Sequence, residues 1–120
     1  MRVVVTSQGP DLDSPMDPRF GRAAYLIVVD TETGEHSAVD NSINLNAAQG
    51  AGIQAGRNVV ALGVQALITG NVGPKAFATL AAGQIQVYTG GAGTVRQAVE
   101  DFTAGRLPPV AAANVEGHWS

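Results

Sequence analysis

The sequence predicts an α/β protein: a three-layer fold around a mixed five-stranded sheet with one antiparallel strand. Three observations carry this expectation. The runs Val3-Val4-Val5 and Ala66-Leu67-Ile68 are apolar without alternation, as in strands covered on both faces. Gly63 and Gly83 each fall between a helical pattern and the next apolar run, a helix–glycine–strand rhythm that signals βαβ units and parallel pairing. Two strand-like runs joined around Gly34 precede those units and read as a hairpin, which supplies the antiparallel member.

In chain order the pattern reads β-β-β-α-β-α-β-α. Arg2–Thr6 is the first strand, and Ser7–Arg22 is a long loop rich in Pro and Asp. A loop of that length in a small domain is usually functional or mobile. Ala23–Asp30 and Glu35–Asp40 form the hairpin, the latter polar, alternating and suited to a sheet edge. Ala47–Leu62 is a helix anchored by Ile53, Val59, Val60 and Leu62, with Gly63 as its stop. Val64–Thr69 is the fourth strand. Pro74 opens the second helix, through Ala82, where its missing N–H costs nothing, and Phe77 and Leu80 face the core. Gly83 ends it. Ile85–Tyr88 is the fifth strand. Thr94 caps a third helix, Val95–Ala104, whose Val95, Ala98, Val99 and Phe102 share a face, and Gly105 closes it. A tail runs from Leu107 to Ser120.

Composition narrows the function classes. A chain of 120 residues predicts one domain able to bury roughly two thirds of its unfolded surface. Hydrophobic residues make up 45% and aromatics 5%, so the core is aliphatic. The net charge of −3 and the lack of a basic run argue against a nucleic-acid footprint. Without cysteine, disulfides, zinc ribbons and thiolate-held clusters from this chain alone are excluded. No apolar run is long enough for a membrane span, and no signal-peptide pattern opens the sequence, so the expected location is the cytoplasm.

Ligands of open α/β sheets sit at the carboxyl ends of parallel strands, which directs attention to Gly70-Asn71-Val72-Gly73 ahead of Pro74. This turn is not a phosphate-binding P-loop, because no Gly-Lys-Ser/Thr closes it. Gly50-Ala51-Gly52-Ile53-Gln54-Ala55 fits a G-x-G-x-x-A string. It follows polar Asn44 and Asn46 rather than a strand, so close helix–sheet approach explains its glycines better than a dinucleotide does. Gly91-Ala92-Gly93 before Thr94 reads either as a tight βα turn or as an anion site built from helix N-terminal N–H groups. Asp11, Asp13 and Asp17 crowd one loop but lack the remaining positions of a calcium loop, and read as solvated turn acids. Arg19-Phe20-Gly21-Arg22 allows two readings: guanidinium recognition of an anion, or Phe20 pinning the loop to the core while the arginines pair with its aspartates. His36 lies on the polar hairpin and reads as exposed; His118 is open to ligand and surface readings alike. No spacing supports a catalytic triad, so no enzyme is expected.

Taken together, Phe20-Gly21-Arg22 after an acidic loop, Gly50–Gln54, Gly70–Ala76, Gly83 before Val87-Tyr88, and Asn114-Val115-Glu116-Gly117-His118-Trp119 resemble the dinitrogenase iron–molybdenum cofactor biosynthesis family, of the NifX-like and NifB C-terminal type. The resemblance spans nearly the whole chain. It implies a ribonuclease H-like topology and a role in nitrogen-fixation cofactor biosynthesis, as carrier of an iron–sulfur or iron–molybdenum cofactor precursor bound transiently. On that reading the ligand site comprises Arg19, Phe20, Arg22, Asn71, Gly73, Gly91, Gly93 and Thr94, with His118 as a metal ligand. The competing class is an adaptor or regulatory domain that binds a protein partner or small metabolite without metal.

Overall fold

A computed structural model describes residues 1–41, 51–90 and 93–110. The sheet contains β1 (Arg2–Ser7), β2 (Tyr25–Asp30), β3 (His36–Asp40), β4 (Ala66–Thr69) and β5 (Gln86–Thr89) in the order β3-β2-β1-β4-β5. Strand β2 runs antiparallel to both neighbours, while β1, β4 and β5 are parallel. The expected mixed sheet with one antiparallel strand is therefore present.

Side-chain alternation divides the core into two layers. Val4, Leu26, Val28, Leu67 and Val87 face α1 (Ala51–Ala61) and α2 (Pro74–Ala82). Val3, Val5, Ile27, Val29, Ala66 and Ile68 face α3 (Val95–Thr103), which contributes Val95, Ala98, Val99 and Phe102 as expected. Tyr88 and Phe102 close that layer edge to face, with centroids 4.9 Å apart.

Several local expectations change. Among the described side chains of α1, Ala55 and Val59 are buried, whereas Val60 is 38% exposed. A close helix–helix approach occurs at Gly56, where a Cβ would lie 3.0 Å from Thr79 Cγ2 on α2. Gly50 and the start of the expected helix at Ala47 lie outside the described residues. Gly63 and Gly105 take positive φ at 71° and 74°. Gly83 caps α2 with φ −86° instead, and the left-handed residue is Gln84 at 61°. Gly83 is required for a different reason: a Cβ there would sit 2.5 Å from Val60 Cγ2.

At the hairpin turn, Asp30 Oδ1 accepts from the N–H groups of Glu32 at 2.9 Å and Thr33 at 3.4 Å. The Glu32 N–H holds this carboxyl below the usual carboxylate range. The support it gives is present at neutral pH and is lost as pH falls through that lowered folded-state value. Edge strand β3 is largely exposed, as its polar pattern predicts. The other edge is covered by the chain itself. Val110 N–H donates to Val87 O at 2.8 Å and Thr89 N–H to Pro108 O at 3.3 Å, so the start of the expected tail lies along β5.

Candidate functional site

Strands β1 and β4 are adjacent and parallel, but the segments that leave them diverge. One passes to β2 and the other, through α2, to β5. Such a reversal marks the topological crevice at the carboxyl ends of the two strands, the position where open α/β sheets bind ligands. Here the loop after β1 lies over it, and the layer beneath that loop is polar and buried. Thr6 and Thr69, the fully buried C-terminal positions of two short apolar runs, place their Oγ1 atoms 2.9 Å apart. Thr6 Oγ1 donates its single hydrogen to Asp17 O at 2.6 Å, which leaves Thr69 to donate across the pair.

The loop after β1 is ordered by its hydrogen bonds. Asp17 N–H donates to Thr6 O at 2.9 Å and Gln8 N–H to Pro15 O at 2.9 Å. Across the crevice, Asn71 N–H donates to Pro18 O at 2.7 Å and Phe20 N–H to Asn71 O at 3.3 Å. Gly70 makes this stitch possible, since a Cβ there would lie 2.7 Å from Pro18 Cα, Cβ and O.

Asp17 corrects the reading of solvated turn acids: it is 2% exposed. Its Oδ1 accepts from Arg19 N–H at 2.9 Å and Arg19 Nε at 3.3 Å, and its Oδ2 from Nη2 at 3.4 Å. The Arg19 side chain is 52% exposed against 4% for Asp17, so the guanidinium stands at the surface on a buried carboxylate. Asp13 matches the earlier reading, being exposed and paired with Arg96 at 3.0 Å, a contact that raises the Arg96 pKa.

Both readings of Arg19–Arg22 find part of their expectation here. Phe20 is 1% exposed and sits in the core beside Val4, Leu26, Val59 and Val72, so its ring is corrected from ligand contact to loop anchor. It opens a single 3₁₀ turn, Phe20–Arg22, which half-buried Arg22 closes with its N–H on Arg19 O at 3.2 Å. Arg19 and Asn71 meet across the crevice mouth, and Gly73 caps α2 in extended conformation with φ −80°.

Gly93 and Thr94 lie on the same end of the sheet, where the first N–H groups of α3 already have partners. Val95 N–H donates to Ser14 O at 3.0 Å, Arg96 N–H to Leu12 O at 2.8 Å, and Gln97 N–H to Thr94 Oγ1 at 3.1 Å. The loop after β1 thus takes up the helix donors that an anion would need, and Gly93 O itself accepts from Met16 N–H at 2.9 Å. Thr94 is the expected N-cap, and Thr94→Ala should cost about 1 kcal/mol, read from the urea midpoint at unchanged m-value. Gly91 and His118 lie outside the described residues. His36 is exposed on β3, in a cleft of about 210 Å³ with Arg2, Asp30 and Glu35 at the opposite end of the sheet. A second cleft, of about 420 Å³, also opens away from the crevice, beside Phe77, Gln84 and Val110. Among the described residues, no group of three His, Cys, Asp or Glu side chains is placed to hold a metal ion, and none of the helices is long and apolar enough to cross a membrane.

Sequence reasoning missed Thr6, Asp17 and Thr69. The signals were present: each strand run closes on threonine, and Asp17 stands two residues before Arg19, the spacing of a side chain that caps its own turn.

The profile of the dinitrogenase iron–molybdenum cofactor family matches residues 1–105. The apo form of the orange protein from Desulfovibrio gigas is 45% identical, with a TM-score of 0.92 over 95% of this chain and 96% of that one. A candidate NifB protein from Thermotoga is 40% identical, with a TM-score of 0.83 over 97% of this chain and 98% of that one. An uncharacterized protein from Methanocaldococcus jannaschii is 28% identical over 95 residues, 77% of this chain and 80% of the relative.

Proposed function

The chain belongs to the dinitrogenase iron–molybdenum cofactor family, and from that premise we propose that it is a non-enzymatic carrier of an iron–sulfur or iron–molybdenum cofactor precursor, or of a related anionic ligand. One observation carries the reading: an exposed Arg19 guanidinium held fixed at the mouth of the crevice between β1 and β4. Guanidinium donors suit the sulfide and carboxylate surface of such a cargo. Because the sequence has no cysteine, the protein would hold the cargo mainly through its outer atoms rather than by thiolate ligation. Binding of that kind releases cargo easily, as transfer to a later acceptor requires.

The test is anaerobic. The protein is incubated with isolated iron–molybdenum cofactor, passed through size exclusion, and iron and molybdenum are assayed in the protein peak. Stoichiometric metal is expected in the wild type, falling about tenfold in Arg19→Ala, with circular dichroism confirming that the variant remains folded. A further loss in His118→Ala would add a direct ligand; unchanged retention would remove that role. A folded wild type with no metal in its peak would overturn the carrier reading and favour a module that binds a protein or metabolite.

A further inference from the structure

We propose that Asp17 is a specificity-determining residue of this site: it fixes the direction of Arg19 and cancels its charge, so that the crevice rejects small simple anions. The inference rests on the reading of Arg19 as the anion-facing group.

The geometry is one-sided. Arg19 Nε and Nη2 lie along one edge of the guanidinium, and both donate to the Asp17 carboxylate, at 3.3 Å and 3.4 Å. A guanidinium carries five donors. The remaining three, two on Nη1 and one on Nη2, point away from Asp17. A ligand therefore meets a directed edge of N–H groups instead of a swinging cation. Asp17 is itself anchored, with its N–H on Thr6 O at 2.9 Å and its carbonyl accepting from Thr6 Oγ1 at 2.6 Å. The brace thus extends to the buried Thr6–Thr69 pair.

The charge argument has a definite sign. The pair is neutral overall, so a compact anion such as phosphate gains little Coulomb energy by approaching Arg19. A large polyanionic cargo gains more, because its surface can reach several donors at once. Removing the carboxylate charge leaves a full positive charge at a half-exposed position and must favour any anion.

Asp17→Asn isolates this effect. Asn keeps an Oδ1 acceptor for the Arg19 backbone N–H and preserves the turn, but it loses the charge and the second carboxylate oxygen. The first readout is the Arg19 ¹⁵Nε–¹H signal, whose heteronuclear NOE in the wild type should exceed that of exposed Arg57. In Asp17→Asn it should fall to the Arg57 level. The second is a titration with inorganic phosphate at low ionic strength. Asp17→Asn should bind phosphate about tenfold more tightly than wild type, and the double variant with Arg19→Ala should return to the wild-type level. A wild-type Arg19 Nε as mobile as that of Arg57 would overturn the proposal without any variant. Equal phosphate affinity in wild type and a folded Asp17→Asn would overturn the charge role. Neither readout uses a metal cluster, so failure here is distinct from failure of the carrier reading.

Discussion

Phe20→Ala will destabilise the protein by about 3–5 kcal/mol, the cost of emptying a buried aromatic site. The ring is 1% exposed and lies where β1, β2, α1 and the β4–α2 turn converge, against Val4, Leu26, Val59 and Val72. Since domains of this size hold about 5–15 kcal/mol in total, much of the stability goes. Urea unfolding should show a lower midpoint at an unchanged m-value, and the thermal midpoint should fall by roughly 10–25 °C. A variant with wild-type stability and impaired cargo retention would return Phe20 to the ligand contacts.

Gly70→Ala is the second large effect, and its cause is backbone crowding. The added methyl would lie 2.7 Å from Pro18 Cα and O, atoms that cannot rotate away as a flexible side chain can. Either the loop after β1 or the turn after β4 must move, and the 2.7 Å bond from Asn71 N–H to Pro18 O is lost with it. Overpacking of this kind costs about 1–3 kcal/mol. The displacement falls between Arg19 and Asn71, so cargo retention should drop as well. A crystal structure of the variant checks the cause: Pro18 and Gly70 should be farther apart. Unchanged stability and unchanged retention together would show that the stitch is dispensable.

Gly70 marks what the sequence reveals and what it does not. The Gly70–Gly73 segment stood out at once, because glycines between an apolar strand and a helix-opening proline are a strong local signal. That Gly70 carries a close approach depends on Pro18, fifty-odd residues earlier, and no local pattern reports that approach. The strands and helices were legible for the same reason in reverse: their periodicity and caps are local. Val60 differs because Ala55 and Val59 of α1 take the core positions beside the sheet, while Val60 lies against Gly83 at the end of α2 and stays 38% exposed. Asp17 was misread because loops rich in Asp and Pro are usually solvated. Here the loop folds back on β1 and α3, burying one carboxylate of the three that composition treats alike. At α3 the same loop takes the N–H groups of Val95 and Arg96, which favours the reading of a tight turn there.

The pairing of β1 with β4 has a kinetic consequence. Val3 lies opposite Ala66 and Val5 opposite Ile68, partners more than sixty positions apart, whereas β1, β2 and β3 form a local meander. Closing so long a span is slow relative to forming hairpins. The crevice lies where β1 and β4 meet, so its walls depend on that long-range pairing. A nascent or partly folded chain would thus have its hairpin before it had anywhere to hold cargo. Loading would be confined to finished molecules by the order of assembly itself, without a separate gate.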